Sequence, residues 1–382
     1  MVEETYPCYS MLTINRHWSR LGGMMNHVIH GSRFGEWAGM HVIMPLLARA
    51  FWMKSKLCPG QGREFIKLME DANRTYCQPG EYRKLKYDII SAFILYSIGP
   101  AEYFMYGFKG KTQRERDSYV SDMELFTACT AKMTRATFEK LWDKWGFYCM
   151  TKDYFKRDAC VICNTEDLAS FTDFAAKHPR CFLKPNARAY GAGCRILDIG
   201  PDVGKTFAEL QKEGPWLVEE LIVQAEATAA WNASSVNTIR LCSFRVEGHG
   251  SRVSHAFIRV GRAGSVVDNG GAGGIFASIA PETGILCTDG ADESGHTYAV
   301  HPDSGKPFKG EQIPRWEELL GICREVHATL PPEFHYVGFD FALTDAGWVL
   351  GEGNWGQYVA QQVTLGRGLR REFEELMGVT AK

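Results

Sequence analysis

The stretch GFDFALTDAGWVLGEGNWG, residues 338–356, decides the reading of this chain. It has the pattern of two apolar strands around a tight turn. An acid, Asp340, interrupts the first strand, and Glu352 and Asn354 end the second. A three-residue loop, 345–347, would let Gly347 take a left-handed position beside a bulge. That register pairs Thr344 with Trp348, Ala342 with Leu350 and Asp340 with Glu352, and it puts Asn354 on the same face. A two-residue loop would send the two acids to opposite faces. Facing carboxylates destabilise a sheet unless a cation lies between them. Two carboxylates and an amide offer oxygen donors, which suit Mg2+ or Mn2+ better than zinc. The plainer alternative leaves one acid in solvent and the other capping a turn.

Magnesium held by one or two carboxylates is usually shared with phosphates, so a phosphate cradle is the next thing to look for. The segment FLKPNARAYGAGCRIL, 182–197, reads as strand, lysine, glycine-containing loop and strand. Lys184 leaves the first strand, and Gly191 and Gly193 let backbone amides approach an anion. The order of a Walker loop is absent, and a plain surface hairpin fits the same letters.

Composition narrows the classes. The 382 residues allow two or three domains, and 45% hydrophobic residues with 12% aromatics allow a sizeable core. A formal net charge of −2 gives no basic excess for nucleic acid. The opening MVEETYPCYSML carries acids and no apolar core, so it reads as no secretory signal and the expected location is cytoplasmic. The twelve cysteines then read as scattered thiols. Cys160 and Cys163, the one close pair, read as two small buried residues. No apolar run is long enough for a transmembrane helix; the apolar stretches around 39–53 and 92–108 read as core helices, either of which could touch a membrane or a partner. His27 and His30 lack any neighbouring ligand motif.

Residues 1–125 have helical periodicity. From about 126, amphipathic helices alternate with strand-like runs bounded by Gly, Pro and Asn. The fold class is α+β with antiparallel pairing prominent. The domains expected are a helical N-terminal domain over 1–125, a second over 126–215 and a third over 216–382.

The ordered set of motifs resembles the ATP-grasp superfamily, and within it the sugar-transfer-associated branch related to glutamate ligases. The carrying segments are AKMTRATFEKLWDKWGF with Lys132, FLKPNARAYGAG with Lys184, WLVEELIVQ at 216–224, SVNTIRL at 235–241, DNGGAGGI at 268–275, HPDSGKPFKGEQIP at 301–314 and the acidic hairpin. The resemblance implies a nucleotide clamped between two α+β subdomains. It implies Lys132, before a turn at Gly146, and Lys184 on ATP phosphates. It implies that the strand edge at Glu220 and Ile222 offers backbone to adenine, with the Glu219 side chain nearby and Gln224 or Glu226 toward the ribose. Arg240 would hold an acyl phosphate, with Arg259 a second candidate. Asn237, Asn269 and Gly273 would lie near the acyl acceptor, and Asp340, Glu352 and Asn354 would hold the metal.

The expected activity is an ATP-dependent carboxylate–amine ligase using Mg2+ or Mn2+. Its partners would be small-molecule carboxylate and amine substrates, with no nucleic acid and no transmembrane segment. A thiol ligase or a kinase on the same fold is the alternative. A non-catalytic scaffold would have no need of facing carboxylates.

Overall fold

The computed structural model describes residues 42–57, 61–131, 133–186, 193–246, 248–354 and 358–378. Lys132, Gly191, His27 and His30 lie outside them. The helices are α1 Met44–Leu57, α2 Gln61–Tyr76, α3 Glu81–Tyr96, α4 Pro100–Met105, α5 Gln113–Asp117, α6 Asp122–Thr130, α7 Arg135–Trp142, α8 Lys144–Phe155, α9 Leu168–Lys177, α10 Val203–Glu213, α11 Glu226–Ala229, α12 Trp316–Thr329, α13 Val359–Leu365 and α14 Arg370–Met377. The strands are β1 Ala159–Ile162, β2 Arg180–Pro185, β3 Arg195–Asp198, β4 Trp216–Glu220, β5 Thr238–Val246, β6 Gly250–Val260, β7 Ile275–Ile279, β8 Gly290–Ala291, β9 Thr297–Tyr298, β10 Tyr336–Thr344 and β11 Gly347–Asn354.

The chain divides into two units, Met1–Ala128 with Gly356–Lys382, and Cys129–Trp355. The first is helical. Phe51, Phe65 and Phe93 meet with ring centroids 4.8–5.7 Å apart and anchor its core. Asp88 accepts both terminal nitrogens of Arg116 at 2.7 and 2.8 Å and the Tyr103 hydroxyl at 2.5 Å, so the buried guanidinium is paired. Glu102, the acid within PAEYFMYGF, accepts the backbone N–H groups of Gly99 and Asp122 at 2.6 and 2.7 Å. Burial and then the nearby Asp122 raise its pKa to about 8. The sequence pattern places α13 and α14 with the preceding sheet, but here they belong to the helical unit. The reason is Gln362, which accepts from Val120 N–H at 2.9 Å and donates to the Val120 carbonyl at 2.8 Å.

The second unit holds two antiparallel sheets. The smaller has the order β1-β4-β2-β3 and the larger the order β11-β10-β5-β6-β7-β8-β9. On the smaller sheet, Cys160, Ile162, Cys181, Leu183, Trp216 and Val218 pack against Phe171 and Phe174 of α9 and Phe207 and Leu210 of α10. Cys160 is therefore a core thiol, and burial pushes it up to about 12, whereas Cys163 is exposed. On the larger sheet, α12 lies over β5 and β6. Its buried His327 meets Ser243 at 2.7 Å and stacks edgewise on Phe339. Between α7 and α8 the chain breaks at Asp143. There Asn186, following β2, donates its amide to Asp143 at 2.6 Å and accepts from Trp145 N–H at 2.9 Å, which starts α8. Gly146 is thus in the first turn of a helix rather than in a connecting turn.

Candidate active site

The acidic hairpin reaches the expected facing of its carboxylates by a different route. Its loop has two residues, 345 and 346, so Thr344 pairs with Gly347 and Ala342 with Val349. Alone, that register would separate the acids. A bulge corrects it: Phe341 pairs with Leu350 and Asp340 with Glu352, leaving Gly351 as the extra residue. The one-residue slip at the turn is cancelled by one residue inserted later.

Asp340 also sits opposite Arg240 on β5, and Thr238 sits opposite Arg259 on β6. Directly opposed residues share a face, so a charged row crosses four strands. Arg240 donates to Asp340 from Nε at 2.6 Å and from a terminal nitrogen at 2.5 Å, and it lies 3.9 Å from Glu352. Arg259 bridges Asp340 at 2.7 Å and Asp268 at 2.9 Å. Asp268 also accepts from the Thr238 backbone at 3.0 Å and the Thr238 hydroxyl. The Asn354 amide nitrogen meets Asp340 at 3.3 Å and Glu352 at 3.1 Å. Burial pushes the Asp340 carboxyl up, and the two guanidiniums in contact with it oppose that rise. Burial lowers the Arg240 pKa less than Asp340 raises it, so the guanidinium stays charged. Burial works against ionised Glu352 as well, but Lys184 and then Lys144 outweigh it and bring the carboxyl down to about 2.

The smaller sheet faces this row. Lys184 and Glu219 project from the side of that sheet opposite α9 and α10 and pair at 2.7 Å. Glu219 also accepts from Arg157 at 2.8 Å. Burial would raise the Glu219 carboxyl, but Arg157 and Lys184 hold it below the usual range. The bulge presents carbonyls to these cations: Lys184 donates to Gly351 at 3.3 Å and Arg157 to Leu350 at 2.5 Å. Lys144, at the start of α8, feels both Glu352 and Lys184, and burial lowers its pKa. Five cations (Arg157, Arg240, Arg259, Lys144 and Lys184) thus share one region with four carboxylates (Glu219, Asp268, Asp340 and Glu352). The surplus is positive, the sign that receives an anion.

Several expected contacts are placed otherwise. Strand β4 is internal, between β1 and β2, and the Glu220 N–H is donated to the Asp158 carbonyl at 3.0 Å. The sheet edge foreseen at Glu220 is therefore closed, and Ile222 follows the end of the strand. The Glu219 side chain points to the cations Lys184 and Arg157. Gln224 donates to the carbonyls of Asn232 and Ser235 and accepts from Asn237 N–H at 3.0 Å, so its amide is engaged by the loop. The buried Asn237 donates to the carbonyls of Thr228 and Asn232 at 2.8 Å, which ties it to the same loop. Asn269 caps the short turn 270–272, and Gly273 closes that turn at φ 83°. Sequence reasoning missed Lys144, Arg157 and Asp268. Lys144 lay inside AKMTRATFEKLWDKWGF and Asp268 inside DNGGAGGI, whereas Arg157 lay in no quoted motif.

The donor set bears on metal. Among the described residues no group of three or more His, Cys, Asp or Glu side chains gathers to hold an ion. Here two carboxylates and one amide converge. A half-turn of the Asn354 amide would bring its oxygen to where its nitrogen now meets both acids, giving three hard donors. That set fits Mg2+ and lacks the nitrogen or sulfur of a zinc site.

A paired-sheet cleft lined by lysines, arginines and an acidic hairpin defines a phosphate-handling class of protein. The sugar-transfer associated ATP-grasp family matches residues 159–377, and the chain belongs to that family. No curated protein matches in sequence. Among solved structures, an ATP-grasp ligase PsnB complexed with its minimal precursor is similar at 14% identity and TM-score 0.41, over 70% of this chain and 72% of that one. D-alanyl-alanine synthetase A from Vibrio cholerae O1 biovar eltor is similar at 10% identity and TM-score 0.39, over 63% and 65%. N5-carboxyaminoimidazole synthase from Aspergillus clavatus is similar at 8% identity and TM-score 0.41, over 69% and 59%. At these scores none of the three carries an argument about this chain. Among the described residues no helix is long and apolar enough to cross a membrane.

Proposed function

We propose that this protein is an ATP-dependent carboxylate–amine ligase. The observation that carries the reading is the positive surplus of five cations over four carboxylates where the two sheets face each other. A substrate carboxylate oxygen attacks the γ-phosphorus of ATP, ADP leaves, and an acyl phosphate forms. An amine then attacks the acyl carbon, phosphate departs, and the nitrogen loses a proton to give an amide. Such chemistry asks for positioning and charge neutralisation rather than a covalent enzyme nucleophile. One substrate is an amino acid and the other a second amino acid, a peptide or a uronic-acid sugar, the last of which would supply the carboxylate.

Lys184 and Lys144 neutralise the phosphates, and Lys132 remains a further candidate for that role. Arg240 and Arg259, fixed by Asp340 and Asp268, direct guanidinium edges at the substrate carboxylate and then at the acyl phosphate. Glu352, Asn354 and a free lone pair of Asp340 would hold Mg2+, which when bound supplies charge neutralisation at the transferred phosphoryl group. Asn269 and Gly273 keep the acceptor loop in shape.

The test is a screen of amine and carboxylate pairs for ADP release. A carboxylate labelled with heavy oxygen should deliver one labelled oxygen to the released phosphate. Glu352→Gln should lower turnover by about a hundredfold or more while the chain still folds. A stable phosphorylated product formed without amine would make the protein a kinase and overturn the ligase reading.

A further inference from the structure

Glu219 stands on β4, the strand between β1 and β2. Two cations therefore reach it from opposite sides: Arg157, two residues before β1, and Lys184 of β2. They divide its carboxylate. Arg157 donates to Oε1 at 2.8 Å, and the Lys184 ammonium lies 2.7 Å from Oε2. Both cations also reach the bulge of β11. Arg157 donates to the Leu350 carbonyl at 2.5 Å and to the Gly351 carbonyl at 3.5 Å, and Lys184 donates to the Gly351 carbonyl at 3.3 Å. Arg157, Glu219, Lys184 and the Gly351 carbonyl thus form a closed ring that joins the two sheets.

The two cations of the ring are not equivalent. The Arg157 guanidinium also donates to the Phe155 carbonyl at 3.2 Å and lies 4.6 Å from the centroid of the Phe155 ring. Its planar fork holds a carboxylate and several carbonyls at once, from different nitrogens. The Arg157 side chain is 5% exposed, against 13% for Lys184. Lys184 carries a compact charge on a flexible stem, which can exchange a carboxylate and a carbonyl for a phosphate. That exchange takes from Glu219 one of its two cations. Burial works against the Glu219 charge, and Arg157, ahead of Lys184, opposes burial most. A buried carboxylate left without a partner is costly. With Arg157 in place, Glu219 stays paired after Lys184 leaves. Without Arg157, Glu219 has Lys184 alone, and a phosphate must compete with it for the ammonium.

We propose that Arg157 is a positioning residue of the nucleotide site: it claims Glu219 and the bulge carbonyls, and so leaves Lys184 able to turn to the phosphates of ATP. This role rests on the ligase reading above, which sets Lys184 on those phosphates. Titration of the full chain with ATP and Mg2+ tests it without the other substrates. Arg157→Met should weaken ATP binding about tenfold or more, because Glu219 then keeps Lys184. Adding Glu219→Gln should recover most of that loss, since a neutral amide no longer competes for the ammonium. Were Arg157 only a brace, the second change would weaken binding further. Where Arg157→Met does not fold, Arg157→Lys carries the same test, because one ammonium cannot span Glu219 and both bulge carbonyls: binding should weaken about threefold, and Glu219→Gln should again restore it. ATP binding in the Arg157 variant equal to that of the parent, or a double variant no better than the single one, overturns this role alone. A parent chain that binds no ATP overturns it together with the ligase reading.

Discussion

Each sheet of the second unit has two unlike faces. The face of the larger sheet under α12 carries Ile239, Leu241, Ser243 and Phe339, with the buried His327 and Cys323 of α12 against it. The other face of the same strands carries Arg240, Arg259, Asp340 and Glu352. The smaller sheet repeats the division, with phenylalanines of α9 and α10 on one side and Lys184 and Glu219 on the other. Side-chain alternation along a strand makes this possible: one face holds the fold while its reverse concentrates charge. The two faces should therefore answer differently to substitution.

The largest effect is expected at Asp340. Removing this buried carboxylate leaves Arg240 and Arg259 facing each other without the charge that pairs them. Breaking a buried pair from one side costs about 3–5 kcal/mol. Asp340→Ala should show that loss in chemical denaturation, together with loss of ADP release. A variant as stable as the parent would mean that the arginines find other partners and that the charged face is not self-contained.

The apolar face has its own pH dependence. His327 is buried, with Phe334 carbonyl at 2.8 Å from Nε2 and the Ser243 hydroxyl at Nδ1. Burial lowers its pKa from 6.5 to about 4. The unfolded chain therefore binds a proton at a pH where the folded one does not. This contribution to stability is full above pH 6.5 and is lost as pH falls toward 4. The span corresponds to about 3 kcal/mol. Denaturation followed from pH 7 to 4 should show that decline, and His327→Gln should flatten it. Glu352 on the other face acts lower on the scale: its depressed carboxyl contributes fully above 4.5 and is lost as pH falls through about 2. Acid should thus weaken the apolar face first.

Much of this division was legible. The alternation in GFDFALT, with an acid among apolar residues, shows a two-faced strand whose second face does something other than pack. The opposition of Asp340 and Glu352 could be read, but the reasoning about the turn was wrong, because a bulge has no compositional mark beyond a glycine that could equally be an ordinary strand residue. The α+β class and the family were readable from motif order. Arg157 was not, since its partners Glu219 and Leu350 are far along the chain and only the approach of the two sheets unites them. Lys144 was hidden for a similar reason: its helix starts where Asn186, from another element, caps it. Gln224 and Asn237 look like binding groups in sequence, yet buried loop carbonyls claim their amides. Polar residue types announce hydrogen bonds, but not to whom.

Two neighbouring glycines of β11 sharpen the comparison further. Gly353 lies on the helix-facing side, where a Cβ would stand 2.4 Å from the Phe147 ring of α8. Gly353→Ala should therefore overpack the apolar side and cost about 1–3 kcal/mol. Thermal unfolding checks this, and Phe147→Leu in the same chain should recover part of the loss.

The smallest stability effect and the most informative split is expected at Gly351. A Cβ there would lie 3.1 Å from the Asp340 carbonyl oxygen, a contact that a slight shift relieves. Replacing glycine by alanine also restricts the unfolded chain, which favours folding by about 0.4–1 kcal/mol where the backbone permits. The two effects oppose, so stability should move by less than about 1 kcal/mol. Position is another matter. Gly351 is the inserted residue of the bulge, and its carbonyl accepts from Lys184. The shift that makes room for the methyl group moves this carbonyl relative to Lys184 and Glu352 together. Displacements of that size at a phosphate-positioning group weaken catalysis far more than folding. Gly351→Ala should therefore leave the denaturation midpoint almost unchanged while raising the KM for ATP about tenfold. An unchanged KM would reduce the bulge to a device for bending the hairpin, and a large fall in stability would show that the charged face tolerates no more crowding than the apolar one.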